Sequence, residues 1–273
     1  MTGPTLFDVP VGGRTVKGIA SLAKTCYVYM LNRETGQPIN PIVETAVPTN
    51  TDVPGEEVWP TQPIPYTSRG IPQQPFCTTY PIVSDPELAK RVRPSFHPFL
   101  VNELVITSPG LMGGPNFGSS SFSPRTGLLY VTGKNDAHSI KVKPVGDTLQ
   151  PGPGNLGHFG NFTEAGKTGV KPTATLAAYD PATGQQAWYI ELAGSNPDGI
   201  SGGVSGNLVT AGDVVFQGIS SGEFYAFDAR SSKELFRIAA KAGIRASPMT
   251  YQVNGKQYVS VVATNTVVTL ALP

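Results

Sequence analysis

The sequence predicts an all-β fold made of repeated four-stranded units, the organisation of a β-propeller. The first observation is a hairpin pattern that occurs around Asp180 and again, 48 residues later, around Asp228. "ATLAAYDPATGQQAWYIELAG" and "GEFYAFDARSSKELFRIAAKAG" share alternating small or apolar residues, a short turn, and an aromatic residue in the second strand. Self-similarity at a period of roughly 40–50 residues is typical of propeller blades.

Composition is the second observation. Of 273 residues, 31 are glycine and 26 are proline, and charged residues make up only 14%. This mixture favours many short strands joined by tight turns over helices. Two earlier copies of the turn, at Asn32–Gly36 and Ser123–Gly127, spread the same hairpin design along the chain.

Charge and hydropathy exclude several classes of function. The net charge is +1, so no electrostatic field favours nucleic acid or an acidic membrane surface. We find no apolar run long enough for a transmembrane helix. The start, "MTGPTLFDVPVGG", lacks the basic and apolar regions of a signal peptide, so none is expected here. Cys26 and Cys77 allow at most one disulfide, but the apolar strand context of Cys26 favours a small buried side chain instead.

Two long segments interrupt the strand pattern. Residues 47–100 are rich in proline and lack periodicity, and since proline cannot donate to a β-ladder they are not a central strand. We interpret them as an excursion between blades that ends in a short helix at residues 85–91, with Asp85 as its N-cap. Residues 146–171 are a second Gly/Pro-rich loop.

The remaining chain reads as short strands. Residues 15–31 are interpreted as two strands with a break at Ala23 and Lys24. Further strands are predicted in "LVITSPG", "GSSSFSPRTGLLYVTG", "TATLAAYD", "QQAWYIEL", "NLVTAGDVVFQG", "GEFYAFDA", "ELFRIAA", "ASPMTYQVNGKQYVSVVAT" and "TVVTLAL". Together they give roughly four to five four-stranded units within a single region, residues 1–273. Either the units close as a small propeller or the ring is incomplete in this chain, with strand edges left open.

The turn motif Asp180-x-x-Thr-Gly-x-x-x-Trp188 resembles the docking motif of quinoprotein dehydrogenases, the pyrroloquinoline-quinone (PQQ) enzymes built as eight-bladed propellers. The "DVPGEEVWPTQPIP" stretch resembles the glucose-dehydrogenase branch of that family. Other stretches match the family in the same order along nearly the whole chain: "AKTCYVYMLNRETGQPI", "GGPNFGSSSFSPRTGLLYV", "GNLVTAGDVVFQGISSGEFYAFDA" and "SPMTYQVNGKQYV".

The resemblance implies a periplasmic oxidoreductase in which an alcohol or sugar hydroxyl loses hydride to PQQ beside Ca²⁺ or a lanthanide. In this family the catalytic Asp, in an "H-D-x-W-D" segment, and the metal ligands lie in earlier blades. This sequence contains no such segment and resembles the C-terminal half of the family. No catalytic residue and no metal ligand is therefore assigned to this chain, and we expect it to be inactive alone.

The resemblance also implies which residues contact the cofactor. Lys24 falls where the family has a cation beside the quinone oxygens, which stabilises negative charge as hydride adds. Without the family, a lysine inside an apolar strand is usually an edge residue whose side chain snorkels to solvent. Asn116 and Phe117 match an Asn-Trp pair in which the amide bonds the cofactor. The alternative for this pair is an ordinary turn, and Phe117 keeps a π face but has no indole donor.

Ser201, Gly202 and Gly203 match a "W-G-G" segment of the family, in which the tryptophan stacks on the cofactor. The resemblance assigns Gly202 and Gly203 to the cofactor site, whereas Ser201 cannot stack on the ring. The last blade also departs from the family, because a Gly-Gly-rich stretch is shortened to Ala263, Thr264 and Asn265.

Other conspicuous residues are given structural interpretations. His97, His138 and His158 have no metal-ligand spacing and are predicted to be loop or core histidines with satisfied hydrogen bonds. Asp52, Glu56 and Glu57 are predicted to lie in a solvated loop rather than to act as an acid–base pair. We predict packing roles for two tryptophans, Trp59 and Trp188, with Trp188 between neighbouring blades.

Two functions remain open at this point. One is part of a PQQ-dependent dehydrogenase, and the other is a non-catalytic PQQ-repeat propeller that serves as a scaffold or binding module. Blade packing alone does not decide between them, because packing motifs persist without chemistry. For the first function we expect assembly with an N-terminal propeller half or self-association, and a small alcohol or sugar as substrate.

Overall fold

The computed structural model describes residues 2–142, 168–192 and 205–271. The single helix among them is α1, Pro86–Ala89. The strands are β1 Thr5–Val11, β2 Arg14–Leu22, β3 Val28–Asn32, β4 Ile42–Ala46, β5 Thr61–Pro65, β6 Val105–Thr107, β7 Ser121–Ser123, β8 Leu128–Asn135, β9 His138–Ile140, β10 Thr173–Asp180, β11 Gln185–Leu192, β12 Asn207–Val209, β13 Val214–Gly218, β14 Glu223–Asp228, β15 Glu234–Ala239, β16 Met249–Val253, β17 Lys256–Ala263 and β18 Thr266–Ala271.

These strands form four larger antiparallel sheets and two small ones. Their orders are β1-β2-β3, β11-β10-β8-β7, β12-β13-β14-β15 and β16-β17-β18, with the pairs β4-β5 and β6-β9 separate. The predicted all-β fold is confirmed, and so is the break at Ala23 and Lys24, which separates β2 from β3. Two of the four blade-like sheets have three strands rather than four. After β3 a fourth strand is reduced to a single bridge between Leu31 and Pro38, flanked by hydrogen bonds from the Asn32 amide to the Gln37 carbonyl at 2.8 Å and from the Ile39 amide to the Met30 carbonyl at 3.0 Å.

Four hairpin turns share one geometry. In each, the amide of the last residue donates to the carbonyl of the first: Gly36 to Asn32 at 2.8 Å, Gly127 to Ser123 at 2.9 Å, Gly184 to Asp180 at 2.8 Å, and Ser232 to Asp228 at 3.0 Å. The last residue has φ between 59° and 74° in all four turns, a region that glycine adopts without steric cost. The carboxylate of Asp180 accepts the Ala182 amide at 2.9 Å and the Thr183 hydroxyl at 2.8 Å. The repeat seen in the sequence is therefore a repeat of hydrogen bonds.

Alanine at Gly184 is expected to destabilise the protein more than alanine at Gly36. Both glycines have positive φ, 72° and 74°, so each variant pays about 1 kcal/mol for a left-handed backbone. A Cβ at Gly184 would also lie 3.2 Å from the Tyr66 carbonyl and 3.3 Å from the Asn40 amide, whereas Gly36 faces open space. Thermal unfolding of the two variants measures the difference. Equal losses would contradict the packing of residues 40–67 on this turn.

The four larger sheets pack face to face in chain order, and a separate apolar cluster fills each interface. The first interface contains Phe7, Val9, Leu22, Val28, Met30, Leu129, Val131 and Tyr179; the second contains Tyr130, Leu176, Ala178, Val215, Tyr225 and Phe227; the third contains Phe224, Ile244, Val261 and Ala263. At one edge of this row β7 lies against β1, where the Thr5 hydroxyl donates to the Ser120 carbonyl at 3.0 Å. The segment before β7 also contacts β12 of the third sheet, where the Asn207 amide donates to the Ser119 carbonyl at 3.0 Å.

Trp188 lies between neighbouring sheets, as predicted. Its ring packs 5.8 Å from the ring of Tyr130, and its indole N–H donates to the Ala229 carbonyl of the next sheet at 3.1 Å. An ion pair also joins these two sheets: Arg125 Nε lies 3.2 Å from an oxygen of Asp213, and Arg230 contacts the same carboxylate at 3.5 Å. The second and third sheets are therefore joined by apolar, hydrogen-bonded and ionic contacts.

The excursion at residues 47–100 follows its prediction except for one strand. Asp85 caps α1 by accepting the amides of Glu87 and Leu88 at 2.8 and 3.2 Å. β5 lies inside the excursion despite Pro63, but it pairs only with β4 in a two-stranded sheet, where the missing donor can face away from the partner. No helix in the described part of the chain has the length and hydropathy that crossing a bilayer requires.

Candidate functional site

Two segments that are distant in sequence meet at the residues proposed from the sequence. Lys24 is exposed in the connection between β2 and β3, and its carbonyl accepts the Gly114 amide at 2.9 Å. Gly114 belongs to the loop at residues 108–117, defined here as the glycine loop, which also carries Asn116 and Phe117. The segments that carry the predicted cation and the predicted amide are thus joined by a hydrogen bond.

Asn116 and Phe117 differ sharply in exposure. Asn116 is only 4% exposed, and its side-chain amide takes part in no hydrogen bond among the described residues. Its nitrogen and oxygen are not among the fully enclosed polar atoms that lack a partner, so the amide group still reaches solvent and is accessible to a ligand. Phe117 is 74% exposed and has φ 69°, so its ring is held outside the core at the edge of the glycine loop.

The close approach of the two segments requires glycine. At Gly113, with φ 76°, an added Cβ would lie 2.5 Å from the Cβ of Lys24 and 2.9 Å from its carbonyl oxygen. At Gly114 an added Cβ would overlap the sulfurs of Cys77 and Cys26. The two glycines therefore allow the glycine loop to pack directly on the segment between β2 and β3 that carries Lys24, defined here as the Lys24 connection. The contact between the two is called the cradle.

Cys26 and Cys77 form a disulfide, with their Cα atoms 5.3 Å apart. The prediction that Cys26 remains a small buried side chain without a bond is wrong, although both residues are buried. The apolar pattern around Cys26 reported its burial correctly. It carried no information about the excursion, which folds back to bring Cys77 to the same point.

A buried charged cluster supports the other end of the glycine loop. Lys134 is 1% exposed, and its Nζ lies 2.8 Å from Oδ2 of Asp136. The same oxygen lies 3.3 Å from Nε2 of His138, whose Nδ1 accepts the Leu111 amide at 3.2 Å. The Asp136 carbonyl also accepts the Gly110 amide at 3.2 Å. Sequence reasoning missed Lys134 and Asp136, because a short stretch, "GKNDAH", gave no sign of burial.

Opposing effects set the charge state of Asp136. Burial by itself would raise the pKa of this carboxyl. Hydrogen bonds from His138 and Lys134, together with the positive charge of Lys134, outweigh burial and hold the pKa below its usual range. The cluster is thus an ion pair at neutral pH.

The remaining predicted residues are distributed as follows. His97 is buried and hydrogen-bonded through its ring to the Pro98 carbonyl at 2.7 Å, so its prediction as a satisfied core histidine is confirmed. Glu56 and Glu57 are exposed in the excursion, as predicted. Asp52 is exposed as well. Its carboxylate accepts the amides of Val101 and Asn102 at 2.6 and 2.9 Å.

One packing prediction is wrong, and several predicted residues lie outside the described part of the chain. Trp59 is 72% exposed, because the Pro-rich segment around it turns its ring to solvent rather than into a core. Residues 201–203, which include Gly202 and Gly203, and His158 lie outside the described residues. In the described ranges, no three His, Cys, Asp or Glu side chains come together in a group that could hold a metal ion.

Comparison with known proteins gives a consistent result. Residues 1–259 match the family model described as PQQ, glucose/ethanol/alcohol dehydrogenase, β-propeller domain. The 1-butanol dehydrogenase (cytochrome c) of Thauera butanivorans is 30% identical over 261 residues, which are 94% of this chain and 32% of that protein. The dehydrogenase subunit of the quinone alcohol dehydrogenase of Gluconacetobacter polyoxogenes is 39% identical over 160 residues, 56% of this chain and 21% of that protein.

Solved structures show the same relationship. The crystal structure of quinohemoprotein alcohol dehydrogenase from Comamonas testosteroni aligns with a TM-score of 0.60 and 28% identity, covering 95% of this chain and 34% of that one. A europium-containing methanol dehydrogenase aligns with a TM-score of 0.59 at 23% identity, covering 95% of this chain and 38% of that one, which shows the fold alone. The chain thus spans between a fifth and two fifths of the length of these proteins.

Proposed function

Because the chain belongs to the family of PQQ-type glucose, ethanol and alcohol dehydrogenase β-propeller domains, we propose that it forms one wall of the cofactor site of such a dehydrogenase. The observation that carries the proposal is the contact between the Lys24 connection and the glycine loop. It joins the segment of the exposed Lys24 to the loop that carries Asn116, whose amide makes no hydrogen bond to a described residue. The substrate would be a small molecule with an alcohol or sugar hydroxyl.

The residues present fit a flat, anionic ligand such as PQQ. Gly113 and Gly114 let the glycine loop pack directly on the segment that carries Lys24, and Asn116 supplies a donor and an acceptor that no described residue uses. Lys24 supplies positive charge next to the cradle, where it would stabilise negative charge on a ligand oxygen. When bound, PQQ supplies the two-electron acceptor. Lys24 and Asn116 would bind and orient it, and Phe117, Gly202 and Gly203 would complete this side of the site.

The base and the metal belong elsewhere in this proposal. The described residues offer no group of metal ligands, and the "H-D-x-W-D" segment of the family is absent from the sequence. We place the catalytic aspartate and the ligands of Ca²⁺ or a lanthanide in blades that correspond to parts of the relatives this chain does not cover. An N-terminal propeller half would then be its partner.

We also propose a periplasmic location. A disulfide between Cys26 and Cys77 requires an oxidising compartment to form and persist, and the bacterial periplasm is one. The family resemblance points to the same compartment.

A non-catalytic scaffold or binding module is the second candidate function. The missing metal-ligand group among the described residues favours it, and so does the exposure of Phe117, which does not close over the cradle. Binding of PQQ separates the two, because a scaffold that lost its chemistry has no reason to keep affinity for the cofactor.

Lys24→Ala is expected to weaken PQQ binding at least tenfold, about 1.4 kcal/mol, while Lys24→Arg keeps most of it. Binding would be followed by tryptophan fluorescence, on the purified chain and on the chain mixed with an N-terminal propeller half from one of the relatives named above. Lys17→Ala is the matched control, because Lys17 is an exposed lysine paired with Glu34 at 2.7 Å away from the cradle. Unchanged affinity in Lys24→Ala would contradict the assignment of this residue.

The chain alone is expected to show no dye-linked dehydrogenase activity with added PQQ and Ca²⁺. The reason is that neither a catalytic base nor metal ligands are assigned to it. Activity should require the N-terminal half. Turnover by the purified chain, abolished in Lys24→Ala, would show that the base lies within these 273 residues.

A further inference from the structure

We propose that the Cys26–Cys77 disulfide is a positioning group for the cofactor wall. It fixes the Lys24 connection beneath the glycine loop, so that breaking it loosens this wall while the blades stay folded. The part of the proposal that concerns PQQ rests on the proposed function; the part that concerns the glycine loop does not.

The first argument is where the two sulfurs lie. Cys26 follows Lys24 by two residues, and Gly114 packs directly on both sulfur atoms, with no space for even a methyl group. Gly114 in turn donates to the Lys24 carbonyl at 2.9 Å. Any change in the spacing of the two sulfurs is therefore transmitted to the segment that carries Asn116.

The second argument is the backbone at Cys26. This residue has φ 73°, a left-handed conformation that a side chain with a Cβ rarely adopts without support. The support comes from the excursion, since the Phe76 amide donates to the Cys26 carbonyl at 3.0 Å and the next residue is bonded to Cys26 itself. The Lys24 connection is closed by its own turn, in which the Cys26 amide donates to the Ala23 carbonyl at 3.0 Å, and it is fixed in addition to a segment 51 residues away in sequence.

The third argument is that the excursion has its own anchors on the blade. The Thr175 hydroxyl donates to the Phe76 carbonyl at 2.6 Å, and the Thr78 amide donates to the side chain of Asn135 at 2.7 Å. Phe76 is completely buried in the cluster between the first two sheets. These contacts survive reduction, so residues 76–78 stay on the blade while the Lys24 connection loses its covalent tie.

Reduction has a direct steric consequence. Two electrons and two protons convert the bond to two thiols, which occupy more space than a covalently bonded sulfur pair. Gly114 leaves no room for this expansion, and interiors are packed too densely to absorb it. The glycine loop must therefore shift or become more mobile.

Hydrogen–deuterium exchange of the purified chain, with and without a phosphine reductant, tests the inference in the absence of cofactor. Reduction is expected to speed exchange of the Gly114 amide and its neighbours in residues 108–117 at least tenfold, with no change in β13 and β14. The Cys26→Ser, Cys77→Ser double variant should behave as the reduced protein does. Arg125→Ala is the matched control, since it removes a tie between blades without touching the cradle.

Two results would overturn the inference. Unchanged exchange in residues 108–117 after reduction would show that the disulfide does not position the loop. Faster exchange throughout all four sheets would show that it holds the fold rather than the site. If the double variant does not fold, reduction of the native chain gives the same readout.

PQQ affinity, measured as for Lys24→Ala, tests the link to the cofactor. At least a tenfold weaker affinity of the reduced protein is expected. Equal affinity of oxidised and reduced protein would overturn the role in the cofactor wall. If neither the oxidised nor the reduced protein binds PQQ, the proposed function is wrong. Faster exchange in residues 108–117 on reduction would in that case still support the positioning of the glycine loop by the disulfide.

Discussion

Replacing Lys134 with alanine is expected to lower the free energy of unfolding by about 3–5 kcal/mol. Lys134 is a charged side chain that is only 1% exposed, and its partner Asp136 lies in the same buried cluster at 2.8 Å. Removing the lysine leaves a buried carboxylate without its cation, which costs far more than the loss of an exposed ion pair. Chemical denaturation monitored by circular dichroism measures the loss.

Two controls separate this effect from a general loss of charge. Lys17→Ala removes a lysine whose side chain is 51% exposed and is expected to cost at most about 1 kcal/mol. The double variant Lys134→Met, Asp136→Leu removes both charges and should recover much of the loss, because apolar residues of similar volume often replace a buried pair without penalty. A loss of under 1 kcal/mol in Lys134→Ala would contradict the burial of this pair.

The dependence on pH has a definite sign. The pKa of Asp136 is lowered in the folded protein, so its contribution to stability is present above the unfolded value of about 4 and is lost as the pH falls through the folded value. In Lys134→Ala only His138 still opposes the effect of burial, so the pKa of Asp136 is higher than in the native chain and its protonation on acidification costs the variant less stability. The stability gap between the native chain and the variant should therefore narrow below about pH 4.

Most strands could be predicted from the sequence because their signals are local. β10 and β11 match the predicted stretches to the residue, since both strands end at the turn closed by Gly184, whose φ is 72°. β5 was not predicted, because Pro63 is a local signal against a strand. Only the pairing of β5 with β4, a tertiary contact, permits a strand there. Local sequence rules therefore predict the hairpins but not the contacts between segments that are distant in sequence.

The candidate site required more than local rules. The family resemblance, not the spacing of Lys24 and Asn116, indicated that these residues face one ligand, and the structure brings their segments into contact. The Cys26–Cys77 bond and the Lys134–Asp136 pair depend on how the excursion and the glycine loop fold back on the blades. Neither could be read from composition, because burial of a lysine or pairing of two distant cysteines is decided by tertiary contacts.

The purified chain is expected to associate in dilute buffer through the outer face of its last sheet. The inner face of this sheet packs on the third sheet through Val261, Ala263 and their neighbours. The outer face carries five large apolar side chains that are between 38% and 66% exposed: Met249, Tyr251, Val253, Val262 and Val267. Full burial of an exposed side chain of this kind contributes about 1.5–3 kcal/mol, and since these five are already partly buried each would add roughly half of that, which together still favours association. The outer face of the first sheet is less apolar, since it carries the ion pairs Asp8–Arg33 and Lys17–Glu34.

Val267→Lys combined with Met249→Glu should shift the chain toward monomer, because it places a charge on each of the two outer strands of this face. Ile82→Lys is the matched control: Ile82 is 90% exposed, but it lies in the excursion and away from the sheet. Light scattering coupled to size exclusion gives the mass of each protein.

In a complete propeller another blade would cover the same face, so an N-terminal half should compete with self-association and yield a defined complex. A native chain that runs as a monodisperse monomer of 28.8 kDa would show that the exposed face has no need of a partner, and the proposal of a split ring would lose its physical basis.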